Sequence, residues 1–336
     1  MGASSSTPQP IASKYFPDFE MGLPSLTDKT IVITGCTTGT GFIAARTFAR
    51  KGAKNVLLLN RPSERATKAE TEIKAAIAAG SSTNVETIPC DLQDMTSVKA
   101  AVEMIKSKYE SIDVLCNNAG VMALEDYATK DGYDVQMQTN HISHFLLTKE
   151  LFPLLQCAKE LHGEARIVNH SSGARKAPPT PLKPEYYGKN GGNLGGNGNS
   201  MLFGGAKWER YHQTKLANAV FTKALAARLE GSGIKALVAA PGLAATNLQV
   251  TTAESGGMGS MMWIMKLSQS AEDGTMPLLM CCVGEGVENG EFYEPRDGMS
   301  FWGPAVKVKW DGLSAAEESG KILWEKSEEA CGEFKI

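Results

Sequence analysis

Short runs of β-branched and apolar residues recur along the chain at Lys29–Thr34, Asn55–Asn60, Asn84–Pro89, Ile112–Asn117, Arg166–His170 and Ile234–Ala240, and a last one is predicted at Gly290–Glu294. Runs this short and this continuous are the pattern of strands buried between two layers. Between them lie longer stretches whose apolar residues return every three or four positions: Gly41–Lys51, Ser63–Ala79, Thr96–Tyr109, Tyr133–Leu161 and Tyr211–Glu230. That spacing predicts helices with one apolar face. Strand and helix in alternation predict an α/β fold, a doubly wound and mostly parallel sheet flanked by helices and joined by right-handed crossovers. Ligands of such sheets sit beyond the carboxyl ends of the strands, where strand order reverses. The chemistry is therefore expected just after the strands.

The pattern also sets boundaries. Residues 1–27 carry Ser, Pro and Gly without periodicity and read as a flexible leader, and residues 28–336 read as one domain. Two pieces interrupt it: a Pro-, Gly- and Asn-rich insertion over 178–205, read as slack, and a Gly- and Met-rich stretch over 251–267, read as a lid. Ser314-Ala-Ala-Glu317 has the form of a capping box opening a final helix.

Composition narrows the classes. With 34 basic against 37 acidic residues and a net charge of −3, the chain has no footprint for binding nucleic acid phosphates. Seven cysteines without a CxxC pair read neither as a disulfide frame nor as a zinc site and point to a reducing, cytoplasmic setting. No apolar run approaches the roughly 18–20 residues that cross a bilayer. Met1-Gly2-Ala3-Ser4-Ser5-Ser6 fits the pattern for N-myristoylation of Gly2, and membrane contact is expected only if that modification occurs.

Three segments carry candidate chemistry. Thr34-Gly35-Cys36-Thr37-Thr38-Gly39-Thr40-Gly41 links the first strand to a helix. Glycines there let backbone approach a pyrophosphate, and the helix N-terminus offers unpaired N–H groups. At the end of the second strand stands Asn60-Arg61, where a carboxylate would accept bonds from an adenosine ribose. Without that carboxylate, and with Arg61 able to pair with a 2′-phosphate, NADP(H) is favoured over NAD(H), with Ser63 and Arg65 placed to assist. Tyr211 and Lys215 lie four apart on one predicted helix, so an ammonium adjoins a phenol that is otherwise a poor base at neutral pH. His141 and His144 share a predicted helix without a third ligand placed to join them, so no metal is assigned. Cys36 reads as an inert small residue.

These motifs, with Asn117-Asn118-Ala119-Gly120 after the fourth strand and a serine pair after the fifth, together resemble the short-chain dehydrogenase/reductase family over about residues 28–300. TNHISHFLLTKEL at 139–151 and YHQTKLANAVFTKAL at 211–225 are most similar to its retinol dehydrogenase-like and WW-domain oxidoreductase-like branch. The resemblance implies a single-domain Rossmann-type fold. It implies Tyr211 as general acid/base, Lys215 lowering its pKa and bonding the nicotinamide ribose, Ser172 (with Ser171 the alternative) polarising the substrate oxygen, and Asn140 holding a proton-relay water. On the cofactor side it implies Gly35, Thr38, Gly39 and Gly41 beneath the pyrophosphate, Asp91 beside the adenine, Asn117, Ala119 and Gly120 at the fourth strand, and Pro241, Gly242 and Thr246 at the nicotinamide.

The expected function is NADP(H)-dependent interconversion of a carbonyl and an alcohol on an apolar small molecule. A homodimer through the helices beginning near Tyr133 and Tyr211 is the partner the resemblance allows. Two other readings keep the fold: reduction of a carbon–carbon double bond, as in protochlorophyllide reductases, and a non-catalytic NADP(H)-binding sensor. Against the first, those enzymes carry a cysteine two residues beyond the lysine, where this chain has Ala217. Against the second stands the full Ser, Tyr, Lys and Asn set.

Overall fold

The computed structural model describes residues 11–178, 180–198, 204–245 and 268–336. Gly2, Thr246 and the stretch 251–267 lie outside the described residues. Seven strands follow the apolar runs: β1 (Thr30–Thr34), β2 (Asn55–Asn60), β3 (Asn84–Pro89), β4 (Val114–Asn117), β5 (Ala165–His170), β6 (Ile234–Ala239) and β7 (Phe292–Asp297). They pair in parallel, and an eighth, β8 (Trp302–Val308), returns antiparallel on β7. Among the described residues they form one sheet in the order β3-β2-β1-β4-β5-β6-β7-β8. Strand order reverses beside β1, between β2 and β4, which places the ligand crevice above the end of β1.

The helices are α1 (Phe16–Gly22), α2 (Gly39–Arg50), α3 (Glu64–Ala75), α4 (Met95–Lys108), α5 (Val135–Met137), α6 (Ser143–His162), α7 (Ala206–Arg228), α8 (Ala271–Val283), α9 (Gly312–Ala315) and α10 (Glu317–Cys331). One apolar cluster packs α4, α6, α7 and α10 on one face of the sheet. A second packs α1, α2, α3 and α8 on the other. Among the described residues, no helix is long and apolar enough to cross a membrane.

Four expectations are corrected. The leader is shorter than 27 residues, because Phe16, Leu23 and Leu26 are buried and the Asp273 carboxylate accepts from the N–H groups of Lys14, Tyr15 and Phe16, each at 2.9 Å. Helix α8, absent from the periodic stretches, holds Gly274 and Pro277 and is apolar on nearly all sides, so it shows no amphipathic face. Ser314 lies inside α9 with its hydroxyl buried, and α10 opens at Ala316 without a side-chain cap.

The fourth concerns the insertion. The carboxylate of Asp126 accepts from the N–H groups of Gly192, Leu194 and Gly196 at 2.9, 2.7 and 2.9 Å. The guanidinium of Arg210, fully buried in α7, donates to the carbonyls of Leu194 and Gly196. The described part of this loop is thus pinned, not slack. Its glycines serve that geometry: Gly192, Gly195 and Gly196 all hold left-handed backbone, which lets successive amides turn toward one carboxylate.

Candidate active site

The turn after β1 is closed by a side chain from the next strand over. Gly35 has φ +70°, and a Cβ there would lie 2.8 Å from the Cα of Ala119. The Asn118 amide donates to the carbonyls of Thr34 and Gly35 at 2.9 and 3.2 Å. Its Oδ1 accepts from Thr40 Oγ1 at 3.0 Å and from His170 Nδ1 at 2.9 Å. A Cβ at Gly41 would collide with the Gly35 carbonyl and that same amide. The Thr34 hydroxyl accepts from the N–H groups of Asn118 and Ala119, so its proton points to His144 Nε2 at 2.9 Å. His144 Nδ1 in turn donates to the Asn140 carbonyl. Burial holds the His144 pKa down at about 4, which suits this neutral tautomer. Thr38 is the N-cap of α2 without a side-chain cap, leaving the first-turn N–H groups open above the turn.

The sequence expectation for Asn117 needs correction. Its amide donates to Thr148 and Asn169 on the α6 side of the sheet. The turn is held by Asn118, one residue on and facing the other way.

At the far end of the crevice, Asn60 Oδ1 accepts from Cys36 N at 2.8 Å while its Nδ2 is buried without a partner among the described residues. Arg61 and Arg65 are exposed and make no ion pair among the described residues. Ser63 caps α3 by accepting from Ala66 N, so its hydroxyl is already engaged. Asp91 caps a turn through Gln93 N at 3.0 Å and is half-buried. The Cys36 thiol is fully buried and its pKa pushed up, which keeps it inert.

Beyond β5, three predicted groups converge. The Ser172 hydroxyl lies beside the Tyr211 phenol and favours its ionised form, whereas the Ser171 hydroxyl donates to the Lys215 carbonyl at 2.7 Å. Lys215 Nζ lies 5.8 Å from the Tyr211 ring centre and donates to the His170 carbonyl at 3.0 Å. Burial pushes the Tyr211 pKa up to about 12, with the Ser172 bond pulling the other way, and pushes the Lys215 pKa down to about 8. In the protein by itself, burial therefore outweighs the Ser172 contribution, and the phenol is protonated at neutral pH.

Asn140 sits in a π-helical turn (Gln138–Ile142), a backbone irregularity common at functional sites. Its side chain clasps both backbone groups of Val121 and donates to Thr214 Oγ1. Gly120 is wedged between Asn140 and Lys215: a Cβ there would lie 3.3 Å from each. His141 turns the other way, to Ser327 and a ring cluster with Phe145, Tyr187 and Phe221. Met122, Ala123 and Trp208 pack around Tyr211 as a small apolar wall. Pro241 and Gly242 follow β6, where Gln269 donates to the Pro241 carbonyl at 2.8 Å and Gly242 has φ +66°.

A family model described as short chain dehydrogenase matches residues 29–186. Human retinol dehydrogenase 12 is 30% identical over 313 residues, covering 91% of this chain and 87% of its own. The chain is a short-chain dehydrogenase/reductase. An uncharacterized oxidoreductase of Schizosaccharomyces pombe is 37% identical over 67% of this short-chain dehydrogenase/reductase and 63% of its own length. A solved structure of an uncharacterized protein from Mycobacterium paratuberculosis superposes with a TM-score of 0.70 at 28% identity, covering 94% of this chain and 98% of that one. Within this short-chain dehydrogenase/reductase, α7 exposes only Glu209, Ala227 and Arg228, because α9 and α10 of the same chain pack on it. The α7 face expected to meet a second copy is covered from within.

Proposed function

We propose that the chain is an NADP(H)-dependent oxidoreductase that interconverts a carbonyl and an alcohol on an apolar small molecule, with Tyr211 as general acid/base. The observation that carries this reading is the convergence of Ser172, Tyr211 and Lys215 beyond β5, beside the glycine turn that Asn118 closes. The crevice fits a dinucleotide: the turn is drawn in tightly against Ala119 and Asn118, the first-turn amides of α2 are open, and a buried amide donor stands at its far end.

When bound, the nicotinamide supplies or takes up the hydride. The chain's own residues manage the proton and the orientation. The Tyr211 phenol, protonated at neutral pH, holds the proton that a substrate oxygen would take up, and the Ser172 hydroxyl beside it fixes where that oxygen sits. Lys215 keeps a positive charge beneath them at neutral pH. Near the adenosine end, Asn60 Nδ2 and Arg61 offer donors where a carboxylate would repel a phosphate, which supports NADP(H) over NAD(H). Met122, Ala123 and Trp208 suit an apolar substrate body.

The test follows NADPH and NADH oxidation by absorbance against aliphatic aldehydes, aromatic ketones, quinones and retinal, with the wild type and Tyr211→Phe in parallel. Turnover that prefers NADPH and drops at least about a hundredfold in the variant, with cofactor binding retained, is the expected result. Tight NADPH binding without turnover of any compound would turn the reading toward a sensor.

A further inference from the structure

His170 ends β5 directly between the two halves of the site. Along this strand end the side chains alternate: Asn169 bonds Thr222 and Ser171 bonds the Lys215 carbonyl on the α7 side, while His170 points to the α2 side and the glycine turn. Its tautomer follows from its neighbour. The Asn118 amide nitrogen is committed to two carbonyls, so Asn118 Oδ1 faces His170 and Nδ1 must carry the hydrogen. Nε2 is then a bare acceptor, and it is buried without a partner among the described residues. An acceptor stripped of water and left unbonded is destabilising, so its retention calls for an explanation. Neutrality is secured from two directions, since burial and the Lys215 charge both hold the ring's pKa down, to about 3.

We propose that His170 Nε2 is a cofactor-binding acceptor that takes a hydrogen bond from a donor on the nicotinamide half, a ribose hydroxyl or the carboxamide N–H. The position supports that half over the adenosine half: the His170 carbonyl holds Lys215 Nζ, and the next two residues are the serines beside Tyr211 and Lys215. This rests on the NADP(H) reading. His170 thereby has two tasks, fixing the turn through Nδ1 and recognising the ligand through Nε2.

The test uses the full chain with ¹⁵N-labelled imidazoles, assigning His170 by its loss in His170→Gln. NADPH is titrated while its fluorescence reports binding independently. The Nε2 resonance should move upfield on saturation with NADPH and with reduced nicotinamide mononucleotide, and should stay in place with adenosine 2′,5′-bisphosphate. His170→Phe should weaken NADPH about tenfold, the value of one hydrogen bond, and leave the adenosine fragment's affinity unchanged. Saturation with NADPH and no Nε2 shift would overturn the proposal while leaving the cofactor reading intact. Equal loss of NADPH and adenosine fragment in His170→Phe would overturn it too, showing only a collapsed turn. Absence of any NADPH binding would overturn both.

Discussion

Ser171 and Ser172 are adjacent, yet extended backbone sends their hydroxyls to opposite duties. Ser171 is buried and ties the end of β5 to α7 through the Lys215 carbonyl, whereas Ser172 reaches the phenol of Tyr211 and accepts from Ala174 N at the start of a short 3₁₀ turn. Removing the first hydroxyl should cost about 1 kcal/mol of stability, the value of a buried hydrogen bond, and leave turnover in place. Removing the second should cut turnover about a hundredfold, as losing one preorganised donor does, with NADPH affinity unchanged. Urea midpoints and steady-state kinetics on Ser171→Ala and Ser172→Ala check this, and the opposite pattern would reverse the assignment. The four-residue spacing of Tyr211 and Lys215 alone does not carry the chemistry; the serine pair, Tyr211 and Lys215 were legible in the sequence because the motifs, taken together and in order, resemble those of the family. Asn118 was not: whether Asn117 or Asn118 faces the turn depends on where β4 ends, and a one-residue change of phase sends a side chain to the other face.

At the scale of elements, what escaped the sequence was whatever depended on a distant partner. Segments β1, β2, β4, β5 and β6 announce themselves because both their faces are buried around apolar centres. By contrast, Trp302–Val308 contains Gly303 and Pro304 and becomes a strand only because β7 offers it an edge, where a proline is tolerated. The insertion is the clearest case. Its Gly/Asn composition reads as slack, but Asp126, 66 to 70 residues earlier, gathers three of its amides. Arg210 then bridges this loop to the segment before Tyr211, close to Asp134 as well. A carboxylate accepting three N–H bonds holds a loop far more firmly than its composition suggests. Asp126→Ala should therefore speed hydrogen exchange at Gly192, Leu194 and Gly196 by about tenfold or more, each charged bond being worth about 1.5–3 kcal/mol. Exchange at wild-type rates would mean that packing, and not this carboxylate, fixes the loop.

For the whole molecule, the two apolar layers enclose histidines that cannot keep a charge. Burial holds His141 and His170 down at about pKa 3 and His144 and His212 at about 4. Each is depressed below its unfolded value near 6.5, so the stability it contributes is complete above that pH and is lost as pH falls toward the folded value. Asp134 works against this trend. Burial pushes its pKa up to about 6, so the folded state takes up a proton there before the unfolded chain does, offsetting one histidine. Four histidines less one aspartate leave up to three protons bound in excess by the unfolded chain between pH 6 and 5. At about 1.4 kcal/mol per pH unit for each proton, stability should fall by up to roughly 4 kcal/mol across that unit. Most ordinary carboxylates titrate below it, so the loss belongs mainly to the buried rings. Urea unfolding at pH 7.5, 6.0 and 5.0 measures the slope directly, and His141→Phe, which removes one of the four beside an aromatic cluster remote from the crevice, should flatten it by about one proton. A stability that stays level from pH 7.5 to 5.0 would mean that the rings find water or counter-charge in the folded state, and that the interior around the crevice is more open than its packing indicates.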